Sequence, residues 1–126
     1  RLYGARITVM GLAYKKNIDD SRESPAIKII EELVNRGAEV RVFDPFVSSL
    51  ATKSSLFTSV GSVEEALSGA ECAVFLVDHD VFREISVETV RGLMASPVVI
   101  DAKNIFSCRD GIVYLGIGKG TIDAVN

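Results

Sequence analysis

The sequence predicts an α/β protein, a three-layer Rossmann-like sandwich around a parallel sheet of about five strands. Apolar segments of strand length alternate with segments of helical period, which is typical of successive βαβ units. The most continuous apolar segment, residues 70–77, suits a central strand covered on both faces. Polar stretches follow the apolar segments, as expected of loops at the carboxyl edge of such a sheet.

Local signals predict the first strand and the first helix. Arg6–Met10 is a short, mostly apolar segment of strand length. A helix is expected over residues 25–36, because Ser24 is a good N-cap and Pro25 suits the first helical position. Apolar residues then recur at helical spacing until Gly37 ends the pattern.

The segment Glu39–Phe43 alternates between polar and apolar residues and predicts a strand that completes a right-handed βαβ unit. Residues 46–61 are rich in Ser and Thr, and we expect a loop there with at most a short piece of helix or strand. A short helix is predicted over residues 62–68, since Ser62 and Glu65 have the spacing of a capping box.

The second half of the chain completes the predicted sheet. Residues 70–77 form its central strand, and residues 81–94 are expected to contain a turn followed by a helix. Another strand is predicted at residues 97–100, and a terminal strand at residues 111–116. No internal repeat or linker interrupts the pattern, so we expect a single domain over residues 1–126.

Composition argues against several classes of protein. The net charge of −3 and the pI near 5.1 do not fit a nucleic-acid-binding protein, which needs a basic excess on one face. One histidine and two cysteines are too few soft ligands for a zinc cluster, so no metal site is predicted. Cys72 is expected to be a core thiol and Cys108 to be partly exposed. Without a membrane-length segment or a signal-peptide pattern, we expect a cytoplasmic protein and no membrane partner.

The polar loop between the first strand and the first helix is the predicted ligand site. It places cations beside acids and an aromatic ring, and these residues are Tyr14, Lys15, Lys16, Asp19, Asp20 and Arg22. Lys103 follows a later strand, and both loops are expected to open at one edge of the sheet. A lysine ammonium suits phosphate or sugar oxygens, so an anionic, nucleotide-containing small molecule is the predicted ligand.

Each of these residues also has a structural alternative. Lys15 and Lys103 have the alternative of being ordinary solvated lysines. Tyr14 packs against a base or sugar, or else belongs to the core. Arg22 binds the ligand, or else pairs with an acid of its own loop and stiffens it. The residues alone leave these alternatives open.

Three known motifs do not fit this chain. The turn at Gly11 has one glycine followed by bulky residues, unlike a dinucleotide loop, and Asp44 comes too late for the ribose position. Residues 116–120 lack the Ser or Thr and the following helix of a P-loop, so we expect a flexible exit from the last strand. His79 lies between two aspartates, but adjacent side chains on an extended segment point apart, which argues against a metal or acid–base triplet. No catalytic constellation is predicted.

Five stretches carry a family resemblance. They are Ile-Thr-Val-Met-Gly-Leu-Ala-Tyr-Lys (7–15), Asp-Ser-Arg-Glu-Ser-Pro (20–25), Val-Phe-Asp-Pro (42–45), Val-Val-Ile-Asp-Ala-Lys-Asn (98–104) and Leu-Gly-Ile-Gly-Lys-Gly (115–120). On the basis of these stretches, the chain over nearly its whole length resembles the carboxyl-terminal, UDP-binding domain of the UDP-glucose/GDP-mannose dehydrogenase family. Because the chain begins with Arg1 rather than Met, we expect a fragment of a longer dehydrogenase.

The resemblance implies a function for the parent protein. These enzymes oxidise the 6-hydroxymethyl group of a nucleotide sugar to a carboxylate, a step in polysaccharide biosynthesis, with NAD and a cysteine thioester. Their catalytic cysteine and NAD site lie in the amino-terminal parts, so the resemblance implies that this fragment is inactive alone and holds no cofactor. Its implied partners are a UDP-sugar and the remaining domains of a homo-oligomeric parent.

The resemblance also implies site residues. By similarity, Lys15 with its neighbour Tyr14 contacts the nucleotide sugar, and Lys103 stands where a basic residue meets it. With Arg22, proposed from the residues of the loop, they form the expected substrate-binding set. The UDP-glucose branch usually has arginine where this chain has Lys103. Together with the pair Asp19 and Asp20, this favours a UDP-N-acetylmannosamine or UDP-N-acetylglucosamine enzyme over a UDP-glucose enzyme.

Two other functions stay open on the residues alone. One is a free-standing nucleotide-binding regulatory module that uses the same fold without catalysis. The other is a small NAD-binding domain, against which the missing glycines count.

Overall fold

A six-stranded sheet forms the centre of the computed structural model, and a separate two-stranded hairpin lies beside it. The structure describes residues 2–17, 19, 21–22, 24–53, 55–118 and 121–125, with side chains described as far as residue 116. The strands are β1 (Arg6–Met10), β2 (Glu39–Phe43), β3 (Ser49–Ala51), β4 (Leu56–Thr58), β5 (Cys72–Phe75), β6 (Val98–Asp101), β7 (Val113–Gly118) and β8 (Thr121–Val125). The helices are α1 (Pro25–Asn35), α2 (Val63–Leu67), α3 (Asp80–Arg83) and α4 (Val87–Leu93). In this described part of the chain, every helix is too short to cross a membrane.

The strand order in the sheet is β2-β1-β5-β6-β7-β8. The first five of these strands are parallel, and β8 pairs antiparallel to β7. The predicted parallel sheet of about five strands is therefore confirmed. The register places Phe43, Met10, Phe75 and Asp101 in one row across four strands. The loops that leave these strands consequently start at the same edge of the sheet.

Two apolar cores lie on opposite faces of this sheet. On one face, Phe75 belongs to a cluster with Leu67 of α2 and Val90 of α4. On the other face, Val9 belongs to a cluster with Ile30 of α1. Because successive side chains of a strand point to opposite faces, the central strands are covered on both sides. The predicted three-layer sandwich is confirmed.

Helix α1 begins at its predicted residue and ends one residue earlier than predicted. The Oγ atom of Ser24 accepts a 3.1 Å hydrogen bond from the N–H of Ala26, which confirms the predicted N-cap. Strands β1 and β2 have their predicted bounds. The turn and helix predicted within residues 81–94 are α3 and α4.

Helix α2 confirms one half of the predicted capping box. The N–H of Glu65 donates to Ser62 Oγ at 3.0 Å. The Glu65 carboxylate, however, accepts from the N–H of Gly61 at 3.1 Å, one residue before the cap. The reciprocal hydrogen bond is therefore displaced by one position but still satisfies a backbone donor at the helix start.

Two segments differ from the prediction. Residues 46–61 contain the hairpin β3–β4, where a loop with at most one short piece was expected. The expected flexible exit at residues 116–120 is wrong, because β7 continues to Gly118 and pairs with β8. Residues 119 and 120 of that stretch lie outside the described residues. Glycines weaken the sequence signal for a strand, and the pairing with β8 supplies the order that local propensity lacks.

Candidate functional site

The buried acid Asp44 follows β2 and holds the beginning of the loop between β1 and α1, which we call the β1 loop (residues 11–24). Its Oδ2 atom accepts hydrogen bonds from the N–H groups of Leu12 at 2.7 Å and Ala13 at 2.9 Å. Its Oδ1 atom accepts from the N–H groups of Phe46 at 2.7 Å and Val47 at 3.1 Å. One carboxylate therefore fixes the chain on two neighbouring strands at once.

His79 joins this acid to a later point of the β1 loop. It is fully buried, and its Nε2 atom lies 2.8 Å from Asp44 Oδ2. Its Nδ1 atom accepts a 2.7 Å hydrogen bond from the N–H of Asn17. Because Nδ1 accepts, the ring proton lies on Nε2 and is donated to Asp44, so the imidazole is neutral. The rings of Phe46 and Phe82 pack against it, with centroids at 5.0 and 5.3 Å.

The environment of Asp44 favours the ionised form. Burial alone opposes ionisation, but hydrogen bonds from His79 and from the backbone N–H groups of Leu12, Phe46 and Ala13 outweigh it. The pKa of Asp44 therefore lies below its ordinary value. A carboxylate that is fully engaged by protein donors has little capacity left for the hydroxyl groups of a ligand.

Asn17 is a second anchor of the β1 loop. Its φ of 59° is left-handed, a conformation that Asn adopts more readily than most residues. Its Nδ2 atom donates to Asp80 Oδ2 at 3.0 Å, and its Oδ1 atom accepts from the N–H of Asp80 at 3.2 Å. The exposed residues Tyr14, Lys15 and Lys16 lie between the anchors at Ala13 and Asn17. The chain thus holds these side chains at the sheet edge from both ends.

Asp101 at the end of β6 organises a second loop in a similar way. This segment, residues 102–112, is called the β6 loop. The Oδ1 atom of Asp101 accepts from the N–H of Lys103 at 3.1 Å, and Oδ2 accepts from the N–H groups of Ile105 at 2.7 Å and Phe106 at 3.0 Å. The acid is completely buried, whereas the side chain of Lys103 is exposed. Each of the two predicted lysines is therefore carried by a loop whose backbone N–H groups donate hydrogen bonds to a buried carboxylate.

Arg109 stiffens the β6 loop from outside. Its Nε atom donates to the Phe106 carbonyl at 3.0 Å, and Nη2 donates to Asn104 Oδ1 at 2.7 Å. The guanidinium carbon lies 4.0 Å from the ring centroid of Tyr114. Asn104 has a left-handed φ of 56°. Arg109 thus holds the side chain of Asn104, directly after Lys103, at this left-handed position of the backbone.

The three side chains from Asp78 to Asp80 diverge, as predicted. Asp78 Oδ2 lies 3.4 Å from Nη2 of Arg83, while His79 faces Asp44 and Asp80 faces Asn17. In the part of the chain that the structure describes, no three His, Cys, Asp or Glu side chains form a cluster suited to a metal ion. Both ring nitrogens of His79 are engaged within the fold, by Asp44 and by the N–H of Asn17.

The turn at Gly11 is closely covered by Val77. Gly11 has a φ of 107°, and a Cβ atom placed on it would lie 2.9 Å from Cβ, Cγ2 and the backbone N of Val77. The close contact with Val77 and the positive φ together explain why a glycine stands at this turn.

The predicted site residues Tyr14, Lys15, Arg22 and Lys103 lie on loops that leave the same edge of the sheet. Lys15 follows β1 and Lys103 follows β6, and the single strand β5 separates these two strands. Tyr14 is 55% exposed, so it does not belong to the core. Arg22 is exposed in the β1 loop, and Asp20 lies outside the described residues.

The anchoring roles of Asp44, His79 and Asp101 were not predicted from the sequence. One signal was present, since Asp44 and Asp101 each stand directly after apolar strand residues. An acid at this position accepts backbone N–H groups from the loops that leave the sheet. His79 offered no local signal, because its two partners are 35 and 62 positions away along the chain.

Comparison with known proteins matches residues 8–108 to the UDP-glucose/GDP-mannose dehydrogenase family, UDP binding domain. The chain is 35% identical over 119 residues to a UDP-N-acetyl-D-mannosamine dehydrogenase of Pyrococcus horikoshii, covering 94% of this chain and 26% of that protein. It is 29% identical over 130 residues to a UDP-glucose 6-dehydrogenase of Pseudomonas aeruginosa, covering 94% of this chain and 29% of that protein.

A solved structure described as a UDP-D-ManNAc dehydrogenase from Pyrococcus horikoshii superposes with a TM-score of 0.79 and 36% identity, over 93% of this chain and 26% of that one. The chain thus spans about a quarter of the length of the curated relatives that it matches. The family match covers most of this chain and includes both the β1 loop and the β6 loop up to residue 108. The chain therefore belongs to the UDP-glucose/GDP-mannose dehydrogenase family.

Proposed function

We propose that this chain is the C-terminal, UDP-sugar-binding domain of an NAD-dependent nucleotide-sugar 6-dehydrogenase. The diphosphate of the substrate binds at the carboxyl edge of the sheet, between the β1 loop and the β6 loop. Lys15 and Lys103 contact phosphate or sugar oxygens, Tyr14 packs against the nucleotide sugar, and Arg22 contributes a further cation. The family match to a UDP-binding domain supports this proposal.

The single observation that carries the proposal is that the backbone of each lysine loop is hydrogen-bonded to a buried carboxylate. Strands β1 and β6 flank β5, so their ends stand about 10 Å apart at ordinary strand spacing. Each lysine has a flexible four-carbon stem, so two such side chains can reach one diphosphate between the loops. Anchors at Ala13 and Asn17, and at Asp101, limit the backbone freedom that binding would otherwise cost.

The remaining chemistry is assigned to the rest of a longer parent. The turn at Gly11 lacks the further glycines of a dinucleotide loop, and Asp44 is engaged by its own protein, so NAD binding is assigned to another domain. Burial raises the pKa of the Cys72 thiol to about 11, which does not suit a nucleophile. Because the catalytic cysteine and the NAD site are assigned to other domains of the parent, the fragment alone is expected to be inactive. In the parent, a homo-oligomer in the cytoplasm, the sugar is oxidised to a uronate for polysaccharide biosynthesis.

The substrate is proposed to be a UDP-N-acetylhexosamine, with UDP-glucose as the alternative. The relatives in the comparison include proteins named UDP-N-acetyl-D-mannosamine dehydrogenase and proteins named UDP-glucose 6-dehydrogenase. Lys103, which stands where the UDP-glucose branch usually has arginine, favours a UDP-N-acetylhexosamine. The sugar's 2-substituent is read largely by the other domains of the parent, so UDP itself is the informative probe for this chain.

Isothermal calorimetry with UDP, a UDP-N-acetylhexosamine and NAD tests the proposal. We expect binding of UDP and of the UDP-sugar. Lys15→Ala should weaken UDP binding by about 1.5–3 kcal/mol, since a charge-assisted phosphate contact is lost. Lys53→Ala is the matched control, because Lys53 is an exposed lysine at the turn of the β3–β4 hairpin.

Three results would contradict the proposal or its site. Binding of NAD without UDP would indicate a small NAD-binding domain. No binding of any of the three ligands would favour a module of another kind. An unchanged dissociation constant for Lys15→Ala, with UDP still bound, would remove Lys15 from the site.

A further inference from the structure

We propose that His79, in its neutral form protonated on Nε2, is the positioning residue that holds the β1 loop in its binding conformation. The residue is fully buried behind the loop and acts on binding indirectly. It acts through the backbone N–H of Asn17 and the carboxylate of Asp44. The effect on ligand affinity rests on the proposed function, whereas the effect on the loop does not.

His79 connects three segments of the chain through its two ring nitrogens. Asp44 follows β2, His79 follows β5, and Asn17 belongs to the β1 loop that lies between those strands. The ring therefore accepts from one neighbour and donates to the other, at 2.7 and 2.8 Å. A protonated ring, with hydrogens on both nitrogens, would place Nδ1–H against the Asn17 N–H. The neutral ring with its proton on Nε2 satisfies both contacts.

The position of the second anchor explains why this contact bears on binding. Asp44 fixes the β1 loop at Leu12 and Ala13, and His79 fixes it again at Asn17. Tyr14, Lys15 and Lys16 lie between these points.

Loss of the acceptor at Nδ1 would leave the Asn17 N–H without its buried partner and free one end of that stretch. The two hydrogen bonds between the Asn17 side chain and Asp80 are exposed and hold the loop less firmly.

Two substitutions separate the two hydrogen bonds of the ring. In His79→Gln, the amide nitrogen reaches the position of Nε2 and can still donate to Asp44, but nothing accepts from Asn17. In His79→Asn, the amide oxygen reaches the position of Nδ1 and can still accept from Asn17, but the contact with Asp44 is lost. Both variants lose the ring that packs between Phe46 and Phe82, so they form a matched pair.

The first measurement is amide hydrogen exchange at Asn17, followed by NMR on the whole chain without ligand. We expect exchange at Asn17 to be about tenfold faster in His79→Gln than in His79→Asn, as the loss of one partly buried hydrogen bond predicts. The second measurement is the dissociation constant for UDP, with His79→Gln expected to bind several-fold more weakly than His79→Asn. A purely structural role in core packing would affect both variants alike.

Equal exchange at Asn17 in the two variants, or faster exchange in His79→Asn, would overturn the inference. If the wild type does not bind UDP, the proposed function fails, and the exchange comparison still decides whether His79 positions the loop. If either variant does not fold, the ring nitrogens of the wild type decide by ¹⁵N NMR. Protonation at Nε2 with a hydrogen-bonded Nδ1 would support the inference, and protonation at Nδ1 would overturn it.

Discussion

The phenol of Tyr114 donates a 2.7 Å hydrogen bond to Oδ2 of Asp101, and both side chains are buried. Tyr114 lies on β7, and Asp101 ends β6. The same oxygen accepts hydrogen bonds from the N–H groups of Ile105 and Phe106. The phenol therefore connects the last parallel strand to the acid that holds the β6 loop. The position of Lys103 thus depends on a side chain of the neighbouring strand.

Removal of this hydroxyl should destabilise the fold. We expect Tyr114→Phe to lower the free energy of unfolding by about 1.5–3 kcal/mol, the usual range for a hydrogen bond to a charged group. The measurement is urea denaturation followed by circular dichroism. Tyr3→Phe is the matched control, because Tyr3 is 84% exposed and should change stability by less than about 0.5 kcal/mol. Equal effects of the two substitutions would contradict the assigned role of the phenol.

The same phenol predicts a loss of stability at alkaline pH. Burial, with the contact to Asp101, raises the pKa of Tyr114 from 10.0 to about 12. The unfolded chain therefore releases the phenolic proton at lower pH than the folded chain does. The stability that the protonated phenol contributes is fully present below pH 10 and is lost as the pH rises to about 12.

Unfolding free energies measured across this window should fall more steeply for the wild type than for Tyr114→Phe. The thiol of Cys72, whose pKa burial raises to about 11, is present in both proteins and cancels in the comparison. Parallel pH curves for the two proteins would show that the phenol does not carry the effect.

The two thiols should differ in reactivity. Cys108 is exposed, as predicted, whereas Cys72 is half-buried against the apolar core on the α1 side of the sheet. Because burial raises the pKa of Cys72, its reactive thiolate is scarce near pH 8. We expect iodoacetamide to label Cys108 rapidly and Cys72 only after unfolding, as measured by peptide mass spectrometry. Cys108→Ser should remove the rapid reaction, and equally rapid labelling of both thiols would refute this prediction.

Gly11 should not tolerate a side chain. A Cβ atom there would lie 2.9 Å from the backbone and side chain of Val77, at a φ of 107° that L-residues rarely adopt. We expect Gly11→Ala to destabilise the protein by about 2 kcal/mol or more, through steric overlap and backbone strain. Thermal and urea unfolding provide the measurement.

Gly92→Ala is the control with the opposite sign. Gly92 is exposed in α4, and a Cβ atom there would meet nothing within 4 Å. Alanine should therefore stabilise the helix by up to about 1 kcal/mol. A neutral outcome for Gly11→Ala would mean that the turn adjusts and that Val77 does not define its shape.

Local order was readable from the sequence because its determinants are close together in the chain. Ser24 and Pro25 start α1 through contacts within two residues. A short apolar segment predicted β1 and an alternating pattern predicted β2, both to the residue. Strand β8 was missed for the opposite reason. Its order depends on antiparallel pairing with a glycine-containing partner, and local propensity gives little sign of that.

The sequence by itself determined the fold class, the family resemblance and the loops that carry Lys15 and Lys103. Only the tertiary structure decided how those loops are held. Asp44 reaches Leu12 across 32 positions, and His79 reaches Asn17 across 62. Such contacts arise because parallel strands in the order β2-β1-β5-β6 bring distant loops to one edge of the sheet. The backbone N–H groups at the start of these loops are buried there and need hydrogen-bond acceptors. Caps and periodicity are properties of neighbouring residues, whereas these acceptors find their donors only after the strands have been ordered and placed in register.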